Sequence, residues 1–116
     1  MDDDHLAAAL VYVAMNPVRA RLCARPTDWR WSSVHALLGQ IPDDGVTAVA
    51  PVLERFPDLA DRIAAGEDHQ ASARLRKAEQ IGRPVGTPAF IAGLERQTAR
   101  RLLAAKRGRR AKVESE

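Results

Sequence analysis

Residues 6–20 read LAAALVYVAMNPVRA, and the reading of this stretch decides the fold. From Leu6 to Met15 no residue is charged, so a helix here is apolar on every side and needs burial on more than one face. Asp2–Asp4 stand ahead of it, where carboxylates suit unpaired N–H groups and the positive end of a helix dipole. The helix has to end by Asn16, because a residue before proline is pushed out of the α region. Pro17 then suits the first position of a short turn through Val18–Leu22. The apolar run is too short for the roughly 20 residues of a membrane span, so no membrane role is expected.

Working outward, the rest reads as helix and loop. No segment alternates apolar and polar residues over strand length, so the fold class is mainly α. A loop at Ala24–Thr27 leads to a helix capped near Asp28 and closed at Gly39. On it Trp31, Val34, Leu37 and Leu38 share one apolar face, with Trp29, Trp31, Ser32 and Ser33 capping and packing it. After a loop at 40–45, Val46–Arg55 and Asp58–Ala65 read as short helices divided by Pro57, with Gly66 closing the second. His69–Gln80 is expected to be a basic helix. Thr87 then caps a last helix with Pro88 at its first position. Phe90, Leu94 and Leu102 are expected to form its buried stripe, with Ile91 and Thr98 beside it. Lys106–Lys112 reads as a flexible tail. The chain divides into 1–39, a connector over 40–69, and a basic region over 70–116.

Composition narrows the chemistry. Among 116 residues only 4% are aromatic, so alanine and leucine must fill most of the core. The single cysteine, Cys23, cannot form an internal disulfide, which fits a reducing cytoplasm. With one thiol and three scattered histidines (His5, His35 and His69), a structural zinc site is not expected. The net charge of +3 hides an asymmetry. Residues 1–69 carry six Arg against eleven acids, or −5; residues 70–113 carry twelve Lys or Arg against Glu79 and Glu95, or +10. A block this basic is the footprint of a polyanion partner, most often nucleic acid. Arg83-Pro84 and the Lys106–Arg110 cluster, including Arg107 and Arg109, are candidate phosphate contacts, as are Arg100 and Arg101.

The motifs now become recognisable. Tyr12-Val13-Ala14-Met15-Asn16-Pro17-Val18-Arg19-Ala20, followed by Trp31-Ser32-Ser33, resembles the REP-associated tyrosine transposases, single-tyrosine members of the HUH superfamily. Their sequences carry Tyr-x-x-x-Asn-Pro-Val-Arg-Ala-Gly-Leu and then Trp-Ser-Ser. Leu53-Glu54-Arg55-Phe56-Pro57 and Ile81-Gly82-Arg83-Pro84-Val85-Gly86, with Phe90, Leu94 and Glu95, are similar to that family as well. The resemblance therefore runs over almost the whole chain.

It implies that Tyr12 is a nucleophile. In the family the tyrosine hydroxyl attacks a DNA phosphodiester and holds one strand end as a 5′-phosphotyrosine while the other leaves as a 3′-hydroxyl, so that the strand can be rejoined during transposition. The substrate class implied is single-stranded or hairpin DNA. Mg²⁺ or Mn²⁺ is implied as cofactor, held by two histidines flanking a hydrophobic residue, and Asn16 at i+4 from Tyr12 is the candidate third ligand. This chain has no His-x-His pair and no strand-bearing segment before the tyrosine helix. It is therefore expected to be the C-terminal portion of an α/β, ferredoxin-like domain and catalytically incomplete by itself, completed by a missing N-terminal half or by a second copy. Arg21 stands where the family has glycine, which costs about 1 kcal/mol if the backbone there is left-handed.

Plainer readings remain for each residue. Tyr12 alone reads as a core aromatic, Asn16 as a tolerated helix end, and Arg19 as either a phosphate contact or an ion-pair partner for Asp28. The alternative function is a stand-alone DNA-binding module in which the helices around Gly82–Gly86 resemble a helix-turn-helix.

Overall fold

In the computed structural model, which describes residues 1–106 and 108, the described chain is entirely helical. Seven α-helices follow in order: α1 Asp3–Ala14, α2 Asn16–Arg19, α3 Val34–Leu37, α4 Val49–Arg55, α5 Leu59–Ala65, α6 His69–Ile81 and α7 Pro88–Thr98, with a 3₁₀ turn at Pro26–Asp28. No described helix is long and apolar enough to cross a membrane.

The apolar first helix is buried along one stripe, Ala7, Val11 and Ala14, spaced at four and three residues. It meets α5 and α6 at once, which supplies the cover on more than one side that its sequence demands. Leu59 at the start of α5 is the most enclosed side chain, with none of its surface exposed. Ile63, Phe56, Val34 and Leu37 complete the core, so regions 1–39 and 40–69 share one apolar centre. Cover is incomplete: Val13 remains 57% exposed on the outer side of α1.

The start and stop signals act as local chemistry requires. The Asp2 carboxylate accepts from the His5 amide at 3.1 Å, Asp68 accepts from Gln70 and Ala71, and the Thr87 hydroxyl accepts from Phe90 at 3.2 Å. Gly39 and Gly82 end helices in the left-handed region, with φ of 69° and 62°. Arg21 does the same at φ 59°. The Leu22 amide donates to Pro17 O and the Arg21 amide to Val18 O, the paired bonds of a Schellman cap. Such a cap favours glycine at the left-handed position. Arg21→Gly is therefore expected to raise unfolding stability by about 1 kcal/mol, measured by urea titration; an unchanged or lower midpoint contradicts this.

Four sequence expectations need correction. The helix expected from Asp28 to Gly39 is only Val34–Leu37. Asp28 turns back on Arg25, accepting from its backbone and side chain, and so caps nothing ahead of it. Trp31 consequently lies in irregular chain, 76% exposed, and not on an apolar face with Val34 and Leu37. The helix expected from Val46 begins at Val49, because Asp44 holds the Val46 and Thr47 amides in a tight turn. The stripe expected on α7 buries Ile91 instead of Phe90, Leu94 and Leu102, which are half-buried, while Thr98 is exposed. Helix α7 packs lightly on the rest. It is tied down by the Asp2 carboxylate, which accepts from the Thr87 amide at 2.7 Å, and by Phe90, whose ring lies where a Cβ on Gly86 would stand.

Candidate nucleic-acid interface and tyrosine site

The Asn-Pro step ends α1 and starts α2, whose single turn directs Arg19 back across the preceding helix. Its guanidinium lies 3.9 Å from the centroid of the Tyr12 ring, a cation–π contact. It also donates to the Tyr12 carbonyl at 3.3 and 3.4 Å, to Asn16 Oδ1, and to Glu67 Oε2 at 3.0 Å. Glu67 in turn accepts from the hydroxyl of Ser72, a buried polar residue of the core side of α6. The structure thus brings Tyr12 and Asn16 to one guanidinium, that of Arg19. It pairs Arg19 with Glu67 rather than with Asp28, whose partner is Arg25 at 3.0 Å.

Glu67 is the residue sequence reasoning missed. It follows Gly66, whose φ of 84° turns the chain between α5 and α6 and aims Glu67 at Arg19. Partial burial alone would raise its carboxyl pKa, but hydrogen bonds from Ser72 and Arg19 and the charges of Arg19 and Arg76 outweigh this and hold it below the ordinary value. A carboxyl depressed by folding stabilises the fold above its unfolded pKa and loses that contribution as pH falls through the folded one. Stability is therefore expected to decline below about pH 4.3, the unfolded glutamate value. Glu67→Gln should flatten that decline in thermal melts taken from pH 6 to 3, and an unchanged pH profile counts against the network.

A second cation, Arg76 of α6, stands 5.8 Å from the Tyr12 ring centroid. The Tyr12 hydroxyl has no hydrogen-bond partner among the described residues, and none of their buried side-chain oxygens is left unpartnered. The half-buried Tyr12 ring therefore lies between two guanidinium groups.

The same surroundings do not suit a divalent metal. Asn16 Oδ1 is taken up by the Arg19 guanidinium, and a second positive charge stands at the ring. Among the described residues no three His, Cys, Asp or Glu side chains converge. Asn16 is thus placed as a partner of Arg19, and the residues around Tyr12 do not fit Mg²⁺ or Mn²⁺.

The basic region continues the positive surface. Helix α6 runs back along α1, and where it passes His5 an open hollow of about 480 Å³ lies between it and the start of α7. Arg74, Lys77, Arg83 and His5 line it, with Ile81, Pro84 and Val85 as its apolar floor. Arg83 also donates to the carbonyls of Arg101 and Leu102 at 3.4 and 3.2 Å, bringing the chain after α7 beside the hollow. Arg100, Arg101 and Lys106 are exposed. Arg107, Arg109 and Arg110 lie outside the described residues, as does most of the tail expected over 106–112. Arg74, Arg76 and Lys77 were not singled out from sequence; their only signal was the overall basicity of the helix, which does not say which face meets α1.

Compared with protein-family models, curated proteins and solved structures, the chain shows no match.

Proposed function

We propose that this chain is the DNA-binding, tyrosine-bearing portion of a protein related to the REP-associated tyrosine transposases, unable to cleave DNA by itself. The observation that carries the reading is the Tyr12 ring against Arg19 and Arg76, with Arg76 on the same helix as Arg74 and Lys77, which line the hollow together with Arg83. A strand laid along Arg74, Arg76, Lys77 and Arg83 has its phosphates neutralised on the side of α6 that carries the Tyr12 contact. The α/β origin belongs to the same proposal. In the complete family a sheet lies against the tyrosine helix and carries the histidine pair, and the exposed Val13 of α1 and Leu22 after α2 are apolar surface such a sheet, or a second copy, would cover. A cytoplasmic, nucleoid-associated location follows from the partner.

The alternative of a helix-turn-helix module is less favoured. The connection between α6 and α7 runs over 82–87, longer than the three- or four-residue turn of that motif. Binding is therefore assigned to the cationic groove and not to a recognition helix.

The test mixes the full chain with labelled hairpin DNA carrying a single-stranded flank, with Mn²⁺ present. A salt-sensitive mobility shift and no covalent adduct on a denaturing gel are expected. Absence of any shift at low salt overturns DNA binding, and an adduct abolished by Tyr12→Phe overturns the inactivity.

A further inference from the structure

A second surface, remote in sequence from the basic region, is built around Trp31. The indole is 76% exposed, although tryptophan is among the side chains that gain most from burial. It borders an open hollow of about 570 Å³ together with Arg30, Ser33, His35, Ile41 and Val46. Ile41 and Val46 are themselves exposed, the latter at 92%.

The charges around this hollow limit what fits it. The Arg30 guanidinium lies 4.7 Å from the Trp31 ring centroid, and Arg30 enters none of the ion pairs among the described residues. His35 faces acceptors on both ring nitrogens, the Trp29 carbonyl and Gln40 Oε1, each at 2.8 Å. The Gln40 and Trp29 bonds raise its pKa above the ordinary histidine value. The one acid on the rim, Asp44, is turned onto the Val46 and Thr47 amides and the Thr47 hydroxyl.

Three exposed apolar side chains fall far short of the roughly 800 Å² per partner of a stable protein interface. The exposed indole and the Arg30 guanidinium, which is in no ion pair among the described residues, instead suit a flat aromatic ring linked to an anionic group. We propose that Trp31 and Arg30 form a subsite for one unpaired base of a DNA single strand, the base stacking on the indole and its phosphate meeting Arg30. Stacking on an aromatic side chain tolerates any base, because every base has a π-face. The proposal rests on the DNA-binding reading and adds the residues that would hold an unpaired base.

The experiment measures fluorescence anisotropy of the full chain with a labelled oligothymidine and, separately, with a fully paired duplex. Trp31→Ala is expected to weaken single-strand binding by about 5- to 150-fold and to leave duplex binding and the melting temperature unchanged, with Trp31→Phe restoring most of the loss. Unchanged single-strand affinity, or an equal loss on both DNAs, overturns the subsite while the DNA reading stands. A loss of self-association in Trp31→Ala, seen by sedimentation without change in DNA affinity, overturns it in favour of a protein contact. If the unaltered chain binds neither DNA at low salt, the DNA reading fails, and the subsite with it.

Discussion

Leu59→Ala is expected to destabilise the protein by about 3–4 kcal/mol, enough to lower its thermal midpoint by roughly 15 °C. Leu59 is fully enclosed where α5 begins, in a centre whose other buried members include Ala7 and Ala14. A core built on alanine has few long side chains that can swing into a vacated space, so the cavity persists and its cost adds to the lost transfer energy. Against a total stability of about 5–15 kcal/mol for a domain, this single truncation removes a large share. Trp31→Ala serves as the comparison, since an exposed side chain normally changes stability by no more than about 0.5 kcal/mol. Urea and thermal unfolding of both variants provide the measurement. A loss below about 1 kcal/mol for Leu59→Ala would mean that the site collapses around the smaller residue.

Replacing Arg74, Lys77 and Arg83 together with alanine is expected to weaken DNA binding on the order of 100-fold or more near 50 mM salt. Each phosphate contact releases about 0.7 counterion from a single strand, so one contact contributes roughly a factor of ten at that concentration. The logarithmic dependence of affinity on salt should become shallower by about 2 with all three removed. Arg55→Ala is the matched control: Arg55 pairs with Asp3 at 2.8 Å, and its loss should leave DNA affinity nearly unchanged. Circular dichroism of the triple variant checks that α6 still forms, because alanine favours helix at positions 74 and 77. If slope and affinity both hold, the groove between α6 and α7 is not where DNA lies.

The two surfaces divide the work in the proposed function. The cations of α6 hold the backbone of a strand whatever its sequence, and Trp31 marks where that strand is unpaired. Tyr12 belongs to the first surface through Arg76, while Arg19 fixes the orientation of its ring. Arg19 is committed by its bonds to Glu67, Asn16 and the Tyr12 carbonyl, so its part is positioning more than phosphate capture.

By itself the sequence determined the helical class and most of the punctuation. Thr87-Pro88 opening α7, Gly39 and Gly66 closing α3 and α5, and the break at Met15 just before Asn16-Pro17 are local events, each settled by residues within about one turn, although Asn16 itself is helical and not pushed out of the α region as expected before proline. The left-handed backbone at Arg21 was legible for the same reason, from the glycine that the resembling family places there. Only the tertiary structure decided the rest. Arg19 and Glu67 are 48 residues apart, and Asp2 and the Thr87 amide 85 apart. Such pairs depend on which faces of two helices meet, and an apolar helix like α1 offers no polar face from which to read the answer. Trp31 shows the reverse case. Its spacing from Val34 and Leu37 fitted a helix face, but Asp28 spent its carboxylate on Arg25 and the helix began too late to include it.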